Sequence, residues 1–515
     1  MENSEACPRL TAVIEIGSTG IRLLLAEIEG NGKWKEMDRA GKPVALGRDV
    51  FTTGQISRES FLECLSVLKN YREALSAWGI SGSDVHVIAT SALRAARNRD
   101  LFTDQVSRQT GFKINIVEGI EENRLMYLAV RFALKNDLPQ FRRSSSMIIE
   151  IGGGSTEIML LRQGKMVAAH SLRLGTILID QRNRLAMSTA RSKERYLNEN
   201  IRNTSIFLSS EMELSQVHTL VAAASDARIA AHHIGTVLNE HCRVIDRKSF
   251  TVFVEELQSC STEECVQKLQ ISFVDAEGLI SGLLILKLFL NRTSAVRIVV
   301  PRVSIREGLL LDLALGVETE LQEEFFSQII ASAVNLGRKY HFDEAHSRFV
   351  ADLSLTLFDA LIQEHGMNRR ERMLLEAAAI LHDIGMFIRG SHHEKHGQYI
   401  VANSEIFGLR QDELGIIANV IRYHRSHTPS SADIEYIALQ REERILVQKI
   451  AAILRVADAL DRGHSQQTGQ ITVERKGDIL ALHTERNRDL SLEHIGLDEK
   501  ADMFQDVYGY KVVLS

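Results

Sequence analysis

Two segments of the chain combine carboxylates, glycines and hydroxyls at matching spacing. The first reads Val13-Ile14-Glu15-Ile16-Gly17-Ser18-Thr19-Gly20-Ile21-Arg22-Leu23. The second reads Ile148-Ile149-Glu150-Ile151-Gly152-Gly153-Gly154-Ser155-Thr156-Glu157-Ile158. Each is an apolar strand ending in a carboxylate, a Gly/Ser/Thr turn and a second apolar strand. Glycine allows the sharp turn and brings backbone N–H groups close to an anion, and the hydroxyls add donors. A carboxylate just before such a turn is placed to hold Mg²⁺ against a phosphate. Two copies in one chain predict duplicated half-domains that grip one phosphate-bearing ligand between them.

Further candidates fall where a strand hands over to a helix, the edge at which open α/β sheets bind ligands. They are Thr90-Ser91-Ala92-Leu93-Arg94, after the strand Val85 to Ala89, and Glu118-Gly119-Ile120-Glu121-Glu122, after the strand Lys113 to Val117. The planar fork of Arg94 suits phosphate oxygens, and Glu121 or Glu122 suits the activation of a water. Either glutamate also complements the dipole of the helix it opens.

The elements that must position these residues divide by pattern. Residues 9–134 alternate strands and helices, and Asn136 to Ser146, with its proline, arginines and serines, reads as a hinge. A second α/β unit restarts at 147 and runs to Arg306-Glu307-Gly308-Leu309. Its expected helices lie near Lys193–Leu214 and Asp226–Asn239. From 320 to 463 helical periodicity takes over and histidines concentrate. The tail, Ile471 to Ser515, alternates again. The domains expected are therefore 1–134, 135–315, 320–465 and 466–515.

At 515 residues the chain exceeds one core, and its 44% hydrophobic and 25% charged residues are ordinary for a globular protein. A net charge of −6 gives no global basic field for nucleic acid. The apolar run Gly278 to Leu290 is interrupted by Lys287 and reads as a buried helix, so no membrane span is expected. Met1 to Glu5 lacks a signal-peptide pattern, and five scattered cysteines fit reduced thiols, with no zinc site expected at Cys260 and Cys265. The cytoplasm is the expected compartment.

Six ordered blocks resemble the exopolyphosphatase/guanosine pentaphosphate phosphohydrolase (Ppx/GppA) family. They are Gly17-Ser18…Arg22, Ala89 to Arg94, Glu121-Glu122, Ile151 to Glu157, and Ser171-Leu172-Arg173-Leu174-Gly175 with Ser304 to Leu310. The resemblance implies two actin-like, sugar-kinase-like (ribonuclease H-like) α/β domains, followed by a helical domain and a small α+β appendage. It also implies Mg²⁺-dependent removal of a terminal phosphate from inorganic polyphosphate or, alternatively, guanosine pentaphosphate. In that picture Glu121 is the catalytic base. Arg94, Gly17, Ser18, Arg22, Gly152, Gly153, Gly154 and Ser155 cradle phosphate, and Glu15 and Glu150 serve the metal. Family members are often dimers, which implies a homodimer.

This chain departs from the family pattern in four places. Glu15 and Glu150 replace Asp, Thr19-Gly20 replaces Asn-Ser, and Ala224-Ser225-Asp226 replaces a Gly-Gly-Thr turn. The last substitution sets a carboxylate where bare backbone is expected, and it favours a weakly active polyphosphate- or alarmone-binding regulator as the competing class.

In the helical region, His346, His382-Asp383 and Asp458 resemble the HD superfamily of metal-dependent phosphohydrolases. The resemblance makes these four residues ligands of a divalent metal. It offers His393 or His396, with His424, for a second one. A phosphate-sensing front half with a working helical domain is the third reading. Arg369, Arg370 and Arg372 are candidates for a basic groove or for a solvated helix face.

Overall fold

The first strand is apolar on both faces and fully buried from Ala12 to Ile14, as a central strand must be. This is strand β1 (Arg9–Ile16), the middle of a five-stranded sheet in the order β3-β2-β1-β4-β5. β2 (Gly20–Gly30) and β3 (Lys33–Pro43) continue it as an antiparallel meander. β4 (Val85–Ala89) and β5 (Ile114–Ile116) extend the other side in parallel. The computed structural model describes residues 9–515 apart from 31–32, 81, 135–140, 142, 187–189, 210, 316–319, 426 and 485–488. Most of the expected hinge therefore lies outside the described residues.

The second sheet repeats the plan in the order β10-β11-β12-β9-β6-β7-β8. β6 (Ser145–Ile151), β7 (Thr156–Arg162) and β8 (Lys165–Leu172) form the antiparallel meander. β9 (Val217–Ala222) and β12 (Arg297–Pro301) run parallel to β6. β11 (Cys242–Asp246) and the short β10 (Thr236–Val237) pair antiparallel at the edge. The duplicated hairpins are thus β1–β2 and β6–β7, each flanked by further strands on both sides. The helix expected to run to Asn239 is Ser225–Ile234, ending at Gly235 so that β10 can form. The apolar run near 280 is the helix Leu279–Arg292 inside the second core.

Two helices tie the halves together. Gly119–Ala133 packs against Ile305–Leu315, where a Cβ on Gly308 would lie 2.0 Å from the Leu125 carbonyl oxygen. Only glycine permits that approach.

The chain divides into two compact units, Met1–Glu324 and Phe325–Ser515. In the second, the helices Glu344–Ala360, Arg369–Leu381, His393–Ala402, Gln411–Arg422 and Arg441–Ala459 enclose an apolar core. An Asn368/Glu371 capping box starts the helix that ends at His382-Asp383. The tail forms a three-stranded sheet, β13 (Ile471–Lys476), β14 (Ile479–Thr484) and β15 (Lys511–Leu514). Its helix Ser491–Lys500 sits close enough to Arg441–Ala459 that a Cβ on Gly496 would meet the Ala459 carbonyl oxygen at 2.9 Å. The appendage therefore packs into the helical unit.

Among the described residues, no helix is long and apolar enough to cross a membrane. Cys64, Cys242, Cys260 and Cys265 are free thiols. Arg370 is held by Glu413 (2.7 Å) and Arg372 by Asp359 (2.8 Å), so these two arginines are committed to ion pairs within the unit.

Candidate functional site

The two hairpin turns close alike. Gly17 N–H donates to Gly20 O (3.0 Å), and Gly152 N–H donates to Ser155 O (2.8 Å). The turns meet tip to tip, because a Cβ on Gly153 would lie 2.8 Å from Ser18 Cβ. The helix Thr176–Ala186 starts on the second turn, with Thr176 and Ile177 N–H donating to Gly152 O and Gly153 O (3.0 Å each). Both turns open on one cleft lined by Gly17, Ser18, Arg22, Gly152, Gly153, Ser155, Arg228 and Arg306, with Glu15, Glu122, Glu150, Glu157 and Asp226. Gly154 is not on that wall. A Cβ there would run into the ring of Phe51, which by itself requires glycine at this position.

Of the glutamate pair, the structure turns Glu122 into the cleft and Glu121 away. Glu121 is gripped through both carboxylate oxygens by Arg124 (2.8 Å), which also pairs with Asp312 (2.7 Å). The structure thus sets Glu122, not the expected Glu121, on the cleft wall. Helical periodicity carries the signal: Glu122 shares the buried face with Met126, Ala129 and Ala133, while Glu121 aligns with Arg124 on the opposite side. Glu122 is buried and bonded to Arg94, whose Nη1 also donates to the Val117 carbonyl oxygen (2.5 Å). Arg94 thus stands behind Glu122, outside the cleft wall. Burial raises the Glu122 pKa, Arg94 opposes this, and the charges of Glu15 and Glu118 add to the rise.

The carboxylates differ in what neutralises them. Glu15 lies against Arg306 (3.0 Å) and Arg22 (3.7 Å), one arginine to each oxygen. Glu150 Oε2 and Glu157 Oε2 are buried with no hydrogen-bond partner. Burial, then the charges of Glu122, Glu157 and Glu15, raise Glu150 well above the usual range. Burial and Glu122 raise Glu157 to about 8 against the hydrogen bonds of Ser155 and Ser171. Orphaned buried carboxylate oxygens beside the Gly/Ser turns fit a hard divalent cation such as Mg²⁺. The residues of the cleft match that donor chemistry. Asp226 is buried, and its pKa is raised to about 8 by that burial and by Asp180 and Asp275, with Arg228 opposing. At neutral pH it is a neutral acid, so it does not bring the negative charge expected from sequence.

Next to the cleft lies a largely apolar cavity of about 380 Å³, sharing Ser18, Thr19, Val274 and Glu277 with it. Val44, Ala45, Ile177 and Phe273 line its far part.

In the helical unit, four histidines and two aspartates come together. Asp343 caps the helix that begins at Glu344 (His346 N–H to Oδ1, 3.1 Å) and sets His346 in its first turn. His346, His382 and Asp458 form one group, and Asp383, His393 and His424 form another. His393, not His396, belongs to the second. Burial lowers the His382 pKa to about 4, against the charges of Asp383 and Asp458. Three supporting residues escaped the sequence reading: Asp461, which accepts from His346 Nδ1 (2.8 Å); His464, stacked on His346; and Lys500, bonded to Asp458 Oδ2. The Asp458/Asp461 spacing of nearly one helical turn was a readable sign of the first.

The model of the Ppx/GppA phosphatase family matches residues 26–316, more than half of the chain. The chain belongs to this family. The model of Ppx/GppA phosphatase domain III matches residues 330–501, which covers the helical unit. A guanosine-5'-triphosphate,3'-diphosphate pyrophosphatase of Pseudoalteromonas translucida is 23% identical over 98% of both chains. The crystal structure of the Aquifex aeolicus family member covers 61% of this chain and all of its own, with a TM-score of 0.50 at 23% identity. An exopolyphosphatase from Cytophaga hutchinsonii covers 60% of this chain and 99% of its own, with a TM-score of 0.54 at 19% identity. These two structures share the fold of the front unit: two α/β sheets, followed in this chain by a helical C-terminal region.

Proposed function

We propose that the front cleft hydrolyses a terminal phosphoanhydride, with Glu122 as the base that directs water at phosphorus. The observation that carries this is the convergence of a buried, pKa-raised carboxylate with both Gly/Ser turns in one cleft. The turns supply N–H and hydroxyl donors to the terminal phosphate, and Arg22, Arg228 and Arg306 offset charge along the phosphates. Arg94 holds the Glu122 carboxylate in place. Glu150, with Glu157, would hold Mg²⁺, which when bound lowers the negative charge facing the incoming water. Glu15, already shared by two arginines, orients them rather than binding metal. The reaction needs a water aligned opposite the leaving phosphate.

Two substrates offer a terminal phosphate to this cleft. The adjoining apolar cavity favours guanosine pentaphosphate, because inorganic polyphosphate has no apolar part to place there. The whole-length relative named for guanosine-5'-triphosphate,3'-diphosphate supports the same choice. The test is kcat/KM for phosphate release from each substrate with Mg²⁺, in wild type and Phe273→Ala. The reading expects guanosine pentaphosphate to be preferred and the substitution to raise KM for it alone. Equal loss on both substrates, or preference for long polyphosphate, would return the assignment to exopolyphosphatase. Tight binding without turnover would make the cleft a sensor.

In the helical unit, His346, His382, Asp383 and Asp458 are proposed to hold one divalent metal, in an HD-like arrangement.

A further inference from the structure

The helices Arg247–Leu257 and Thr262–Leu269 follow each other through a tight connection against the second core. Ser261 opens the second helix with a complete capping box. The Glu264 N–H donates to Ser261 Oγ (3.2 Å), and the Ser261 N–H donates to Glu264 Oε2 (2.7 Å). Around such a box the residue before the cap packs on the fourth residue of the helix, a contact usually made by two apolar side chains. Here those two positions are Cys260 and Cys265. Cys260 continues the turn of the first helix, its Sγ donating to Glu256 O (3.4 Å). Glu256 in turn pairs with Lys268 (3.5 Å), one turn beyond Cys265. Glu256–Lys268 and Cys260–Cys265 are thus successive rungs between the same two segments.

Both thiols are free, and among the described residues neither belongs to a group of side chains able to hold a metal. Cys265 is fully buried in the core, and Cys260 packs half-buried at its rim. Cys64 and Cys242 are also buried, so Cys260 is the accessible thiol among the described residues. Burial, then the neighbouring Cys260 and Glu264, raise the Cys265 thiol and keep it protonated. An accessible thiol beside a buried, protonated one is the arrangement of an attacking and a resolving cysteine.

We propose that Cys260 and Cys265 close to a reversible disulfide by exchange with a small-molecule disulfide such as oxidised glutathione, and that this bond restrains the wall of the apolar cavity. The Cys260 sulfur attacks one sulfur of the glutathione disulfide, whose S–S bond breaks, and one glutathione leaves with the Cys260 proton. The Cys265 sulfur then attacks the Cys260 sulfur, and the second glutathione leaves with the Cys265 proton. The protein thiols lose two electrons, and the glutathione disulfide is reduced to two thiols. The stapled helix leads straight to the cavity. Gln270 turns the chain at φ 53°, and Ser272 Oγ caps the helix Phe273–Ala276 by accepting from the Asp275 N–H (3.1 Å). Thr262–Leu269 packs on that short helix, whose Phe273 and Val274 line the cavity with Glu277. A bond between Cys260 and Cys265 removes conformations from the locally opened segment 261–277, so the segment opens less often.

The test exposes full-length protein to excess oxidised glutathione, blocks the remaining thiols with N-ethylmaleimide in denaturant, and maps the tryptic peptide 249–268, which carries both cysteines. In wild type the peptide should be unlabelled and lighter by two hydrogens, and dithiothreitol before blocking should return it doubly labelled. Cys265→Ser should hold one glutathione on Cys260, whereas Cys260→Ser should carry only the maleimide on Cys265. Amide hydrogen exchange over 262–277 should slow by about threefold or more in oxidised wild type, and not in Cys265→Ser treated alike. Thermal melts confirm folding of each variant. A wild-type peptide that is doubly labelled, or that keeps glutathione, would overturn the disulfide. Glutathione on Cys265 in Cys260→Ser would overturn the order of attack. A disulfide with unchanged exchange would overturn the restraint on the cavity wall.

Discussion

Replacing Asp226 by Asn tests the cleft electrostatics with a sign that is easy to get wrong. The Asp226 carboxyl packs on the backbone of the Leu279–Arg292 helix, its Oδ2 filling the space where a Cβ on Gly282 would stand (1.7 Å). The fold raises its pKa from 3.8 to about 8, mainly by burial. Because the neutral form is favoured in the fold, folding takes up a proton between those two values. Wild-type stability is therefore lost as pH rises through that window and levels off above about pH 8. One pKa unit corresponds to about 1.4 kcal/mol, so the loss is of order 1 kcal/mol per pH unit. Asparagine does not titrate. Thermal melts from pH 5 to 9 should show the Asn variant gaining on wild type by about 2 °C per pH unit up to pH 8, then keeping a constant lead. A pH-independent offset, or a wild type that gains on the variant with rising pH, would refute the burial argument. The same titration predicts that wild-type phosphate release falls above pH 8 more steeply than that of the variant, since ionised Asp226 repels the substrate.

Two further outcomes follow from the cleft. Glu150→Gln removes the buried carboxylate whose Oε2 lacks a partner, so the Mg²⁺ concentration for half-maximal phosphate release should rise by about tenfold or more; an unchanged Mg²⁺ titration would remove Glu150 from the metal site. Gly154→Ala drives a Cβ into Phe51 and should destabilise the front unit by about 1–3 kcal/mol, read from urea denaturation. Phe51→Ala in the same chain should recover part of that loss, and a purely additive double variant would contradict the contact.

The hairpins were legible because a strand–turn–strand unit is local: its alternation, glycines and hydroxyls lie within a few residues. That each half is an α/β unit opened by the same hairpin was legible for a related reason, while the strand order of the sheets came only from the structure. The residues alone left Glu121 and Glu122 both open, and only the family resemblance singled out Glu121. Neighbouring helical residues point about 100° apart, and packing against Ile305–Leu315, nearly two hundred residues away, settles which one faces the cleft. The neutral state of Asp226 was equally hidden, because its burial depends on Gly282 in a helix that folds over it. In the helical unit the His-Asp spacing pointed to metal chemistry. The exclusion of His396 and the contribution of Lys500 needed the tertiary structure, which brings the tail onto the helix bearing Asp458.

The most direct test of the account compares phosphate release by Glu122→Gln and Glu121→Gln, under saturating Mg²⁺ and guanosine pentaphosphate. The account predicts that Glu122→Gln lowers kcat by about 10²–10⁴-fold while Glu121→Gln stays within a few fold of wild type. A kcat lost in Glu121→Gln and kept in Glu122→Gln would contradict it.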